Sequence, residues 1–257
     1  MAQNSLIFDV GMYDGTDTAY YLAKGFQVIA VEANTKLVES AHERFTSFIQ
    51  TGRLTIENVA ISDHEGTVEL YLSGQDLGSS SIEYDRVVNR RPNGSIKVRC
   101  VRFENILDRF GTPFYLKCDI EGADRHTILA LSEKHLPEYV SFEMGEDAIE
   151  LLDHLAAIGY RSFKIINQVN FRELSRIDYL PDRIRGRLRR MLHMPEAEYV
   201  TYHGVQFRRE HGAGPMAEAT DGQWKSYLSV RTQWQQFCND YAADNRGGWY
   251  DLHARFK

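Results

Sequence analysis

The run Ile7-Phe8-Asp9-Val10-Gly11-Met12-Tyr13-Asp14-Gly15 constrains this chain more than any other feature of it. One helix-length further on comes Val28-Ile29-Ala30-Val31-Glu32-Ala33-Asn34. Strand, glycine turn, helix, strand and acid in that order place a nucleotide-bearing cofactor at the carboxyl edge of a parallel sheet. Glu32 ends the second strand roughly 20 residues after Gly11, where a carboxylate accepts hydrogen bonds from ribose hydroxyls. The glycine spacing, however, is G-x-x-x-G. Tyr13 fills the position of the middle glycine that admits a pyrophosphate in dinucleotide sites. A cofactor with ribose but no pyrophosphate fits better, and S-adenosylmethionine is the candidate.

Apolar runs and amphipathic stretches alternate along the rest of the chain. Strands are predicted over Leu6–Val10, Val28–Glu32, Leu54–Ile61, Phe114–Asp119, Tyr139–Glu143, Tyr160–Ile166 and Val200–Arg208. Helices are predicted over Thr16–Lys24, Thr35–Gln50, Ala148–Ile158 and Gln223–Tyr241. Short apolar runs bounded by turn residues suit strands buried on both faces. Thr67–Leu72 and Lys97–Phe103 read instead as an inserted hairpin around a polar loop, Ser73–Ser95. Loops longer than about 12–15 residues in a compact domain are usually functional or disordered.

Composition narrows the function. The 257 residues are 43% hydrophobic and carry a net charge of −6, so a packed core is available and a general nucleic-acid binder is disfavoured. No apolar run reaches the 18 or so residues of a membrane span, and no signal peptide is visible at Met1–Ser5. Cys100, Cys118 and Cys238 share no metal-ligand spacing; reduced thiols in a cytoplasmic protein is the plain reading.

Two further acidic clusters fall at strand ends. Lys117-Cys118-Asp119-Ile120-Glu121-Gly122-Ala123-Asp124 follows the fourth strand, and Ser141-Phe142-Glu143 closes the fifth. Ligands in open α/β sheets bind outside the carboxyl ends of strands. Asp119 and Glu143 are therefore candidates for general base work or for holding a divalent cation, between which the residues do not choose. His203 is a third candidate base, because imidazole titrates near neutral pH. His253 has aromatic company and is a candidate for closing over a substrate. The arginines between Arg183 and Arg190 form a basic stretch suited to a phosphate on an acceptor or to an acidic carrier.

Phe8-Asp9-Val10-Gly11, Val31-Glu32-Ala33-Asn34, Asn58-Val59-Ala60-Ile61-Ser62, Lys117-Cys118-Asp119-Ile120-Glu121-Gly122-Ala123 and Ser141-Phe142-Glu143 occur in the order seen in FkbM-type methyltransferases, which this chain resembles over about residues 6–166. The resemblance implies a Rossmann-like, seven-stranded class I methyltransferase sheet with helices on both faces. It implies S-adenosylmethionine as methyl donor and an oxygen acceptor on a sugar, polyketide or similar small molecule. By position, Asp9, Gly11, Tyr13, Gly15, Glu32, Ala33, Ala60, Ile61 and Asp119 would contact the cofactor, with Glu32 on the ribose and Ala60-Ile61 beside the adenine. Tyr13 stands where relatives often carry Asn, and Asp124 where they carry Glu. The expected organisation is a methyltransferase domain over residues 1–208, with insertions at 67–103 and 167–198, and a C-terminal cap over 209–257.

Two other functions compete. Tyr160 and Lys164 match the Tyr-x-x-x-Lys spacing of a nicotinamide-dependent reductase, but that motif needs a helix and this segment reads as a strand. A non-catalytic protein could also keep the cofactor pocket as scaffold.

Overall fold

The computed structural model describes residues 5–74, 77–175, 178–179, 187, 191, 199–202, 205–208, 212–242 and 249–256. Its centre is an eight-stranded sheet built from β1 (Leu6–Val10), β2 (Gln27–Val31), β3 (Leu54–Glu57), β7 (Tyr115–Cys118), β8 (Tyr139–Glu143), β9 (Ser162–Asn167), β10 (Arg172–Glu173) and β13 (Tyr250–Arg255). In space the order is β10-β9-β13-β8-β7-β1-β2-β3. The five strands from β8 to β3 run parallel, whereas β13 is antiparallel to both its neighbours. The chain order reverses at β1, where β2 lies to one side and β7 to the other. Such a reversal opens a crevice at the carboxyl ends.

Helices cover both faces because the strands are apolar on both. Ile7, Val28 and Ala30 face α1 (Thr16–Ala23) and α2 (Thr35–Arg44) through Tyr20, Tyr21 and Ala41. Phe8, Val10, Ile29 and Val31 point the other way, with α5 (Phe103–Phe110), α7 (Ala148–Ala157) and α8 (Tyr227–Ala242). The alternation along each strand follows from the two-residue side-chain period.

Several expected boundaries move, each for a local reason. The helix expected over Thr35–Gln50 breaks at Phe45 into α2 and α3 (Thr46–Gln50). The buried Phe45 ring turns in beneath Gly15, where an added Cβ would meet it at 2.6 Å. The third strand stops at Glu57. Asn58 Nδ2 donates to the carbonyls of Glu32 and Ala33, and β4 (Ala60–Ile61) joins a different sheet. There β4 pairs with β6 (Pro92–Val101), which pairs with β5 (Gly66–Ser73). The expected hairpin is thus one part of a three-stranded sheet, and its loop carries the short helix α4 (Tyr84–Val87).

The larger correction concerns the seventh strand. Val200–Arg208 does not enter the main sheet: β11 (Tyr199–Tyr202) and β12 (Val205–Arg208) pair with each other on either side of His203-Gly204. The place between β8 and β9 is taken by β13, buried along nearly its whole length as an interior strand must be. The boundary expected at residue 209 therefore cuts through one sheet, and the last segment supplies a core strand. Among the described residues, no helix is long and apolar enough to cross a membrane.

Candidate cofactor and acceptor cleft

A cavity of about 290 Å³ opens where the strand order reverses. Its walls include Gly11, Tyr13, Glu32, Ala33, Ala60, Ile61, Asp119 and Glu143. Residues expected at five separate strand ends thus meet around one space. Asp9 and Gly15, expected as direct contacts, lie behind the wall. Asp9 is fully buried, accepts from Thr18 Oγ1 at 2.6 Å and lies 3.3 Å from Lys117 Nζ. Gly15 has φ +77° and starts α1.

The turn is built around its close approaches. An added Cβ on Gly11 would sit 1.8 Å from the Asp119 carbonyl oxygen, so the end of β7 presses directly on the glycine. Tyr13 is held at φ +51°, and its amide donates to Glu32 Oε2 at 2.9 Å. The Asn34 amide donates to the other Glu32 oxygen at 2.8 Å. Burial raises the Glu32 carboxyl above its ordinary range, against those two bonds. Each oxygen keeps a lone pair for a further donor. The Tyr13 ring lies against Gly78, where a Cβ would meet it at 2.9 Å. The bulky replacement for the usual small residue is therefore accommodated by a glycine on the β5–β6 loop.

Beyond Glu32 the cleft is crowded with acids. Burial, then Asp119, pushes Glu121 up to about 7, against Arg90 Nη1 at 2.6 Å from its Oε2. Burial and the same neighbour bring Asp124 to about 6. Burial, with Asp119, Glu121, Asp124 and Asp251 around it, holds Glu143 well above the usual carboxylate range. Asp251 pairs with Glu143 across β13 and β8, and accepts from Gln168 Nε2 at 2.5 Å. Lys117 is the buried counter-charge. Burial works to lower its ammonium, but Asp9, Asp119, Asp17 and Asp251 outweigh that and raise it. Among the described residues, no group of three or more His, Cys, Asp or Glu side chains is placed to hold a metal ion.

Among the lining residues, Asp17, Gln168 and Arg90 carried no separate signal in the sequence. Asp17 sits in the first turn of α1, where an acid ordinarily reads as support for the helix end. Gln168 and Trp249 flank strand ends, and Trp249 is 42% exposed at the cleft. Ser79, Ser80, Ser81 and Arg90 come from the β5–β6 loop. That loop is fastened to the β7 end by Ser81 Oγ, which donates to the Glu121 carbonyl at 2.8 Å.

Other candidates fall elsewhere. His203 lies outside the described residues, as does the basic stretch apart from an exposed Arg187. His253 is 1% exposed inside β13 and does not line the cleft, and burial pushes its imidazole down to about 3. Tyr160 and Lys164 do not form a reductase pair. Lys164 lies on a strand and donates to the carbonyls of Thr220, Asp221 and Gly222, while the Tyr160 hydroxyl donates to Pro137 O.

A parallel sheet reversing at β1, an antiparallel strand threaded between β8 and β9, and a ribose-type acid at the end of β2 define the class I methyltransferase architecture. The family model "Methyltransferase FkbM domain" matches residues 9–162, and the chain belongs to that family. A search of curated proteins returns no match. Among solved structures, the chain is similar to methyltransferase FkbM from Methylobacillus flagellatus KT at 16% identity, over 62% of this chain and 39% of that one, with a TM-score of 0.43. It thus spans about two fifths of that structure's length. It is also similar to precorrin-6y C5,15-methyltransferase from Geobacter metallireducens GS-15, at 11% identity over 99% and 80% of the two chains, TM-score 0.41. A third is phosphoethanolamine N-methyltransferase 2 from Haemonchus contortus, in complex with phosphomonomethylethanolamine and S-adenosylhomocysteine, at 13% identity over 99% and 49%, TM-score 0.39. The family assignment rests on the sequence match alone.

Proposed function

We propose that this chain is an S-adenosylmethionine-dependent O-methyltransferase that modifies a hydroxyl of a small cytoplasmic acceptor, such as a sugar or polyketide, whether or not it carries a phosphate or a carrier. One observation carries the reading: Glu32, Ala60, Ile61, Asp119 and Glu143 line a single cleft, with β1 between the strand that ends at Glu32 and those that end at Asp119 and Glu143. The residues present fit the donor. Gly11 lets backbone approach closely, Glu32 has lone pairs left for a ribose, and the excess of acids suits a ligand that bears a sulfonium. When bound, that ligand supplies an electrophilic methyl group.

The protein's share is then alignment and proton removal. Asp119, 29% exposed, lines the same cleft and would help orient the acceptor, whose hydroxyl would donate to Glu143. With the donor bound, the acceptor oxygen would take the methyl group and Glu143 would receive the hydroxyl proton. A carboxylate whose surroundings raise its proton affinity is a better match to that proton than an ordinary one. Holding the reactants in line supplies up to about 7–11 kcal/mol in ideal cases. Trp249 and the Ser79–Ser81 tract border the acceptor end and keep bulk water out.

Candidate sugars and polyketides, offered with methyl-labelled S-adenosylmethionine, identify the acceptor by mass gain. With an acceptor in hand, Glu143→Gln is expected to lower kcat by about 10²–10⁴-fold, the usual worth of general base assistance. Binding of S-adenosylhomocysteine should change little. The wild-type rate should rise with pH as Glu143 loses its proton, and the variant should lose that limb. Near-normal turnover in Glu143→Gln removes Glu143 from the role, and label uptake onto nitrogen alone removes the O-methyl reading.

A further inference from the structure

The wall opposite Glu32 holds two buried side chains of opposite charge that the reaction does not use. Asp17 is 4% exposed and Lys117 likewise 4%, yet both line the cleft. Lys117 Nζ donates to the Gly11 carbonyl at 2.6 Å and lies 3.3 Å from Asp9 Oδ1. An ammonium has three protons, and the third has Asp119 Oδ2 near it at 4.0 Å, beyond hydrogen-bond distance. Asp17 reaches away from its own helix: its Oδ2 accepts from the Ala213 amide at 2.8 Å and its Oδ1 from the Gly214 amide at 3.3 Å. Gly212 joins the cleft lining beside it, and an added Cβ there would lie 2.8 Å from Asp17 Oδ1. These bonds tie the N-terminal end of the fold to a strap, Gly212–Pro215, some two hundred positions along the chain.

Sheet order fixes which part of the donor would reach this wall. With ribose at the end of β2 and adenine toward β4, the rest of the molecule extends past β1 toward β7. Asp17 and Lys117 stand there. An amino-acid tail carries one ammonium and one carboxylate, matching one buried acid and one buried base. Building on the donor assignment above, we infer that Asp17 receives the α-ammonium of the donor's amino-acid tail while holding the Gly212–Gly214 strap, so that the tail and the strap are fastened by one carboxylate. Lys117 takes the α-carboxylate. In the protein alone, burial, against Lys117, leaves the Asp17 carboxyl at about 7. A cation at its free lone pairs favours the ionised form, and charge-assisted bonds to amides are stronger than neutral ones. Tail binding therefore tightens the strap, and by linkage an ordered strap tightens the tail.

The test compares S-adenosylhomocysteine with 5′-methylthioadenosine, which keeps adenosine and sulfur but lacks the amino-acid tail. By calorimetry, Asp17→Asn is expected to weaken S-adenosylhomocysteine at least tenfold and 5′-methylthioadenosine less than twofold. In the wild type, hydrogen exchange at the Ala213 and Gly214 amides should slow with S-adenosylhomocysteine and not with 5′-methylthioadenosine. That arm stands even if Asp17→Asn fails to fold. Equal weakening of both ligands, or equal protection of the two amides by both, overturns the inference and leaves the donor assignment intact. Failure of both ligands to bind the wild type overturns the donor assignment and the inference with it.

Discussion

Gly11 shows how little latitude a single position in this site has. Its φ of +83° and the Asp119 carbonyl 1.8 Å from a would-be Cβ exclude every side chain. Gly11→Ala adds left-handed strain of about 1–3 kcal/mol and a backbone clash costing about 1–3 kcal/mol more. The expected result is a Tm lowered by many degrees and loss of S-adenosylhomocysteine binding; a variant as stable as the wild type would contradict this geometry. Glu32 shows the reverse, one side chain with two tasks. Its oxygens hold the Tyr13 and Asn34 amides, so the acid proposed for the ribose also fixes the glycine turn. That double duty was legible only in part. Glu32 announced itself by its place at a strand end, whereas the bonds to Tyr13 and Asn34 depend on the turn's left-handed residue, which no pattern specifies. Asp17 was silent for a related reason. Its partners, Ala213 and Gly214, are distant in sequence and offer only backbone amides.

Among the elements, the parallel strands were readable because burial on both faces leaves an unbroken apolar run. The exchange of β13 for Val200–Arg208 was not. Both segments alternate apolar and polar residues, and a short strand's partner is set by packing against β8 and β9, which local pattern does not encode. Asp251 and His253 interrupt the apolar run of Tyr250–Arg255, which was expected only as part of a cap; in the sheet both are buried, and Asp251 accepts from Gln168. Deletion from Gly212 onward consequently removes a central strand, along with α8 and its Val230, Trp234 and Phe237. The shortened protein is expected to lose its cooperative thermal transition and all ligand binding. A soluble fragment that still binds S-adenosylhomocysteine would place β13 outside the structural core.

For the molecule as a whole, the buried acids set a pH dependence. Asp17 and Glu121 at about 7 and Asp124 at about 6 all lie above the ordinary carboxylate values, so the folded state holds their protons more tightly than the unfolded chain does. Their stabilising contribution is complete below about pH 4 and is lost as pH rises through about 6–7. His253 acts oppositely: held neutral with a value near 3, it costs stability as pH falls below the ordinary 6.5 or so. Three acids against one imidazole predict a Tm lower at pH 8 than at pH 6 without ligand, checked by scanning calorimetry. A higher Tm at pH 8 would mean that these carboxyls are ionised in the fold at little cost. The position of β13 also bears on synthesis. A ribosome making this protein releases β8 and β9 well before residues 250–255, and at about 5–20 residues per second the 88 residues from Asn167 to Arg255 occupy roughly 5–20 s. Throughout that interval the two strands face each other across an empty slot with unpaired backbone edges, the kind of surface that invites pairing with another nascent chain.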